Sequence, residues 1–71
     1  MKREAQKIIT QLVYDYDVKL ELLAFHLGVS YTTMYRWWKG KTSPSFAELR
    51  LLREILTRYQ EASANTDEKK S

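Results

Sequence analysis

An all-α fold of four helices, or five, follows from three features of the sequence. Apolar residues recur at three- and four-residue steps and never sustain the alternation of a half-buried strand. Punctuation is sparse: Gly28, Gly40 and Pro44 are the only glycines and proline in 71 residues, and they bracket short segments. Side chains able to cap a helix stand ahead of those segments, with Asp17, Ser30 and Ser45 as candidates.

The first helix is expected over roughly 2–14, where Ala5, Ile8, Ile9, Leu12 and Val13 share one face. Tyr14-Asp15-Tyr16-Asp17 then interrupts, and Asp17 is read as the cap of a second helix from Val18 to Leu27. Asp15 and Asp17 are treated as a connector acid and a cap rather than a metal pair, because no third ligand stands near. In the second helix Leu20, Leu23, Ala24 and Leu27 form the core face. Gly28 reverses the chain, and Ser30 caps a third helix over Tyr31–Lys39 that Gly40 ends. Ser45 with Glu48 is a capping box for a fourth helix carrying Leu49, Leu52, Ile55, Leu56 and Tyr59. One domain is expected over 1–61, with a flexible polar tail over 62–71.

Composition excludes several function classes. Without cysteine there is no disulfide scaffold and no cysteine zinc site, and His26 lacks companions at ligand spacing, so neither metal nor cofactor is expected. The longest apolar run, Leu22 to Phe25, is far too short to span a bilayer, and the N-terminus lacks a signal-peptide apolar core. No nucleophile stands beside a base and no glycine loop could cradle phosphate, so no enzyme is expected. The net charge of +3 is informative through its location. From Leu22 to Ala47 there is no acid, while Arg36, Lys39 and Lys41 supply the whole excess. Such a segment suits a polyanion.

Two short helices joined by a glycine-containing turn, the second with a polar face, make the arrangement of a DNA-binding helix-turn-helix. On the third helix Met34, Trp37 and Trp38 share the core sector. Thr32, Tyr35, Arg36 and Lys39 lie opposite, all able to donate hydrogen bonds to base edges and phosphates. The two tryptophans are therefore read as core residues rather than stacking platforms.

Leu23-Ala24, Gly28-Val29-Ser30, Trp37-Trp38-Lys39-Gly40-Lys41 and Pro44-Ser45 together resemble the phage repressor and Cro-like (XRE-type) helix-turn-helix, over about residues 18–56. The resemblance implies a lambda-repressor-like helical domain that binds double-stranded operator DNA, commonly as a homodimer, in the cytoplasm of a bacterium or phage-infected host. It places base contacts at Tyr31, Thr32, Thr33 and Arg36, and phosphate contacts at Ser30, Lys39, Thr42 and Ser43. Tyr35 and Lys41 join the phosphate set from their place beside that face. Three departures stand out: Leu20 replaces a DNA-contacting glutamine, Trp38 replaces a glutamate and leaves that site wholly apolar, and the fifth helix is missing or merged into the fourth.

Leu22 and Phe25 project away from the core face of the second helix. They either tuck beneath the first or fourth helix or form an exposed patch. With Leu51 and Ile55 on the fourth helix they are the candidate dimer surface. The rival function is a small helical adaptor that binds a protein partner through this apolar surface.

Overall fold

In the computed structural model, which describes the backbone of residues 2–70 and the side chains of residues 3–63, four helices account for the fold: α1 (Lys2–Asp15), α2 (Leu20–Leu27), α3 (Tyr31–Trp38) and α4 (Phe46–Lys70). No strand occurs among the described residues, and the fold is all-α as expected. The expected tail continues the backbone of α4, while its side chains from residue 64 on lie outside the described residues.

The three- and four-residue spacing explains the packing. Ala5, Ile8, Ile9 and Leu12 bury one face of α1 against both α3 and α4, while α2 lies on α3. Val18, Leu20, Leu23, Ala24, Met34, Trp37, Leu49 and Leu52 complete a single core, with no buried polar or charged residue among the described residues. Among the described residues twelve apolar side chains are buried in this core, and each one the size of Leu or Met contributes about 1.5–3 kcal/mol. Val13, Ile55, Leu56 and Tyr59 pack around them, half-buried.

One element starts later than expected. Asp17 does not cap α2; it adopts a left-handed conformation at φ 57°, which short polar residues tolerate better than most. The reversal lets the Val18 amide donate to the Leu12 carbonyl at 2.9 Å and turns the Val18 side chain into the core. Burial of Val18 thus outweighs the cap. Lys19, extended and without a side-chain cap bond, precedes α2, which begins at Leu20.

The remaining junctions follow the expected chemistry. Gly28 takes φ 70°, and the space where its Cβ would stand is empty. Backbone conformation, not crowding, therefore requires glycine there. The Ser30 hydroxyl accepts from the Thr33 amide at 3.1 Å and donates to the Thr33 hydroxyl at 3.0 Å, starting α3. Ser45 and Glu48 bond reciprocally, amide to carboxylate at 2.8 Å and amide to hydroxyl at 3.2 Å. Arg53 pairs with Glu4 across α4 and α1 at 2.6 Å, the only ion pair among the described residues. Both partners are solvated, so it contributes at most about 1 kcal/mol.

Two expectations about side-chain environment are resolved. Leu22 and Phe25 do not tuck beneath a neighbour: they are 42% and 79% exposed. The Trp38 site is not wholly apolar, because its indole N–H donates to the Thr10 hydroxyl at 3.0 Å and its carbonyl accepts from Gln6 at 3.3 Å. Trp38 lies where α3 meets α1, so it is half-buried and its polar edge reaches the Thr10 hydroxyl.

Candidate nucleic-acid interface

The α3 helix separates into two faces as its sequence requires. Met34 and Trp37, at 0% and 3% exposure, anchor it to the core. Tyr31, Thr32, Tyr35 and Arg36 point into solvent, and Lys39, its C-terminal cap, does the same. Thr33 is half-buried, and its amide and hydroxyl are engaged by Ser30. Of the four expected base readers it is the least free to reach outward. Arg36 has no ion pair or side-chain hydrogen bond within the described residues, leaving its five donors available.

Beyond α3, the loop brings the other expected contacts to the same end of the helix. The Lys41 amide donates to the Arg36 carbonyl at 2.9 Å, closing the turn at Gly40, which takes φ 74°. A Cβ at Gly40 would stand 2.8 Å from the flexible end of the Gln6 side chain, which would have to move, so the left-handed backbone is the stronger demand for glycine there. Lys41, Thr42 and Ser43 are exposed, while Pro44 is buried and pins the loop before α4. Ser30 marks the opposite end of α3 and is also exposed.

Sequence reasoning missed a run of aromatic rings along this surface. Tyr31 stacks on Tyr35 with centroids 6.5 Å apart, Tyr35 meets the Trp38 ring edge-on at 6.3 Å, and Trp38 meets Tyr14 of α1 at 6.2 Å. The Lys39 ammonium lies over Trp38 at 4.6 Å and over Tyr35 at 5.5 Å. Two rings thus hold the lysine in place by cation–π attraction, about 0.5–1 kcal/mol at an exposed site. The signal for this run was the four-residue step from Tyr31 to Tyr35 and the three-residue step from Tyr35 to Trp38. Tyr14 is far away in sequence, and only the packing of α1 on α3 brings it in.

Two further surfaces adjoin these elements. A shallow, open groove runs along one face of α1, lined by Arg3, Gln6, Lys7, Thr10, Gln11, Tyr14 and Asp15. Between α2 and α4, a hollow of about 190 Å³ lies among Val18, Leu23, His26, Ile55, Arg58 and Tyr59. Of the candidate dimer residues, Leu22, Phe25 and Leu51 are exposed, whereas Ile55 is half-buried against the core. His26 and Ile55 also line an adjoining hollow that includes Leu51, so these α4 residues share one surface with α2. No cluster of three metal-ligating side chains occurs among the described residues, and no described helix is long and apolar enough to cross a membrane. No protein-family model matches the chain, nor does any curated protein or solved structure.

Proposed function

We propose that this protein is a sequence-specific duplex-DNA-binding regulator of transcription, of the Cro or repressor type, which inserts α3 into the major groove. The observation that carries the reading is the outward face of α3: solvent-exposed, free of acids, and made of side chains that all donate hydrogen bonds. A face of this kind matches the base acceptors and flanking phosphates of a groove about 12 Å wide. The three-residue turn from α2, with Gly28 left-handed and Ser30 capping, presents that face as a helix-turn-helix does. Arg36 is assigned the grip on guanine O6 and N7, Tyr31 and Thr32 neighbouring base contacts, and Lys39, Lys41, Thr42 and Ser43 the phosphates.

One recognition helix covers few base pairs, so a homodimer on a two-fold operator accompanies this reading, its two α3 helices one DNA turn apart, about 34 Å. Leu51 and Phe25, with Leu22 and the edge of Ile55, form its contact. The same exposed side chains favour a second reading, an adaptor that uses this patch for a different protein and binds DNA weakly or not at all. Selection of bound sequences from a random duplex pool at two salt concentrations separates the two. The DNA reading expects a two-fold symmetric consensus and a log–log salt slope of roughly −3 to −5 per subunit. Salt-independent affinity, or no duplex binding at micromolar protein near physiological salt, overturns it.

A further inference from the structure

We propose that the groove along α1 holds the sugar–phosphate backbone of DNA flanking the base pairs that α3 reads. This proposal rests on the duplex-DNA reading of α3 and extends the footprint beyond the recognition helix and its loops.

Continuity is the first argument. The groove abuts the C-terminal end of α3 through three contacts: Gln6 to the Trp38 carbonyl, Trp38 to the Thr10 hydroxyl, and the Tyr14 ring against the Trp38 ring. Lys39, held over the same indole, stands at the junction. Trp38 therefore joins Lys39 to Thr10 and Gln6 of α1, whose same face carries Lys7 and Arg3 toward the helix start.

Chemistry is the second. Thr10 accepts the indole N–H, which leaves its own O–H free to donate outward. Lys7 and Arg3 add cationic donors suited to anionic oxygens, set on a lining whose exposed area is mostly apolar. Charge points the same way. Glu4, the acid nearest the cationic end, is turned to Arg53 on α4, leaving Arg3 and Lys7 without an ion-pair partner among the described residues. Both are exposed, and at four residues apart they share one side of α1. Asp15 is the only acid in the lining and lies two turns beyond Lys7, about 12 Å along the axis. A backbone that enters beside Thr10 and Gln6, where both meet Trp38, and leaves past Lys7 and Arg3 runs away from that carboxylate and from its neighbour Tyr14.

The test compares the full chain with Arg3→Gln/Lys7→Gln on two duplexes carrying the selected site, one ending at the site and one extended by about one helical turn on each side. The wild type is expected to bind the extended duplex more tightly, with a salt slope steeper by about 2 per subunit, since each neutralised phosphate contributes about 0.9. That slope difference corresponds to about a tenfold larger affinity loss between 50 and 200 mM salt. The double variant should bind both duplexes alike, and as the wild type binds the short one. The charge-preserving Arg3→Lys/Lys7→Arg chain should retain the flank effect, which separates lost charge from lost packing; a loss there too overturns the proposal. Unchanged flank dependence in Arg3→Gln/Lys7→Gln, with Arg36→Ala still weakening binding, overturns the groove and spares α3. Capture of polyglutamate through Arg3 and Lys7 with no flank effect assigns the groove to an acidic polypeptide and also overturns it. Failure of the wild type to bind either duplex removes both readings.

Discussion

Arg36 and Trp37 are adjacent in sequence and point in opposite directions, and this gives the sharpest test of how α3 is used. Arg36 is exposed and its side chain has no partner among the described residues, so Arg36→Ala should change folding stability by no more than about 0.5 kcal/mol. If its guanidinium reads a guanine, the same substitution should remove about 1–3 kcal/mol of specific binding, a 5- to 150-fold loss, and relax selectivity at one base pair. Trp37 is 3% exposed and belongs to the core. Truncating it to Ala should cost about 3–5 kcal/mol, the transfer of the indole plus the cavity it leaves. At roughly 0.05–0.15 kcal/mol per residue, a chain of this length has only about 4–11 kcal/mol of total stability. Trp37→Ala should therefore melt far below the wild type or fail to fold at all. Thermal melts followed by circular dichroism, with titrations of the selected duplex and of one carrying a single altered base pair, measure both effects. If Arg36→Ala unfolds the domain while Trp37→Ala stays folded and loses only DNA, the facing of α3 is inverted and the reasoning fails.

Lys39→Ala should weaken binding to all duplexes evenly and reduce the salt slope by about 1, because a phosphate contact carries no sequence information; a loss confined to one sequence would reassign it to a base. Gly28→Ala should cost about 1–2 kcal/mol in a chemical denaturation curve, since the left-handed backbone penalises a Cβ although nothing would clash with it; a neutral result would mean the turn readjusts. Ser45→Ala should cost about 0.5–2 kcal/mol by breaking one side of the reciprocal cap that starts α4, which the same denaturation curves report. Leu51→Glu and Phe25→Glu should each leave the monomer folded and abolish assembly on a two-fold operator in analytical ultracentrifugation. Unchanged mass and affinity in both would end the dimer contact.

Helix existence was legible wherever burial and local chemistry agreed. The face of α1, the cap at Ser30 and the box formed by Ser45 and Glu48 each rest on residues three or four apart, and the folded chain keeps them. Legibility failed at Asp17, where local preference and core burial compete. A carboxylate ahead of an apolar run reads as a cap, but Val18 gains more by entering the core than α2 gains from the bond, and the backbone bends left-handed to allow it. Trp38 shows a different reason. Its angle on α3 assigned it to the core, but a wheel treats each residue as a point and ignores the length of an indole. Its ring extends past the core edge to Thr10 and its flank meets Tyr14, so one residue serves packing, a hydrogen bond and an exposed aromatic surface together.

The same distinction separates the part of the candidate interface that could be read in advance from the part that could not. Tyr31, Thr32, Tyr35, Arg36 and Lys39 belong to one helix, so their common outward direction follows from a single rotation angle. The α1 groove joins α3 across long sequence separations, Gln6 and Thr10 to Trp38, that no local pattern announces. It depends on α1 packing against α3, which in turn depends on Ala5, Ile9 and Leu12 entering the same core as Met34 and Trp37. A basic residue such as Lys7 looks, in sequence, like any solvated charge. Only when the core fixes α1 beside the Gly40 turn does its position acquire a direction relative to Lys39. Core substitutions that tilt α1 without unfolding the chain should therefore alter the flank dependence of binding before they alter base selectivity, because the first depends on two helices and the second on one.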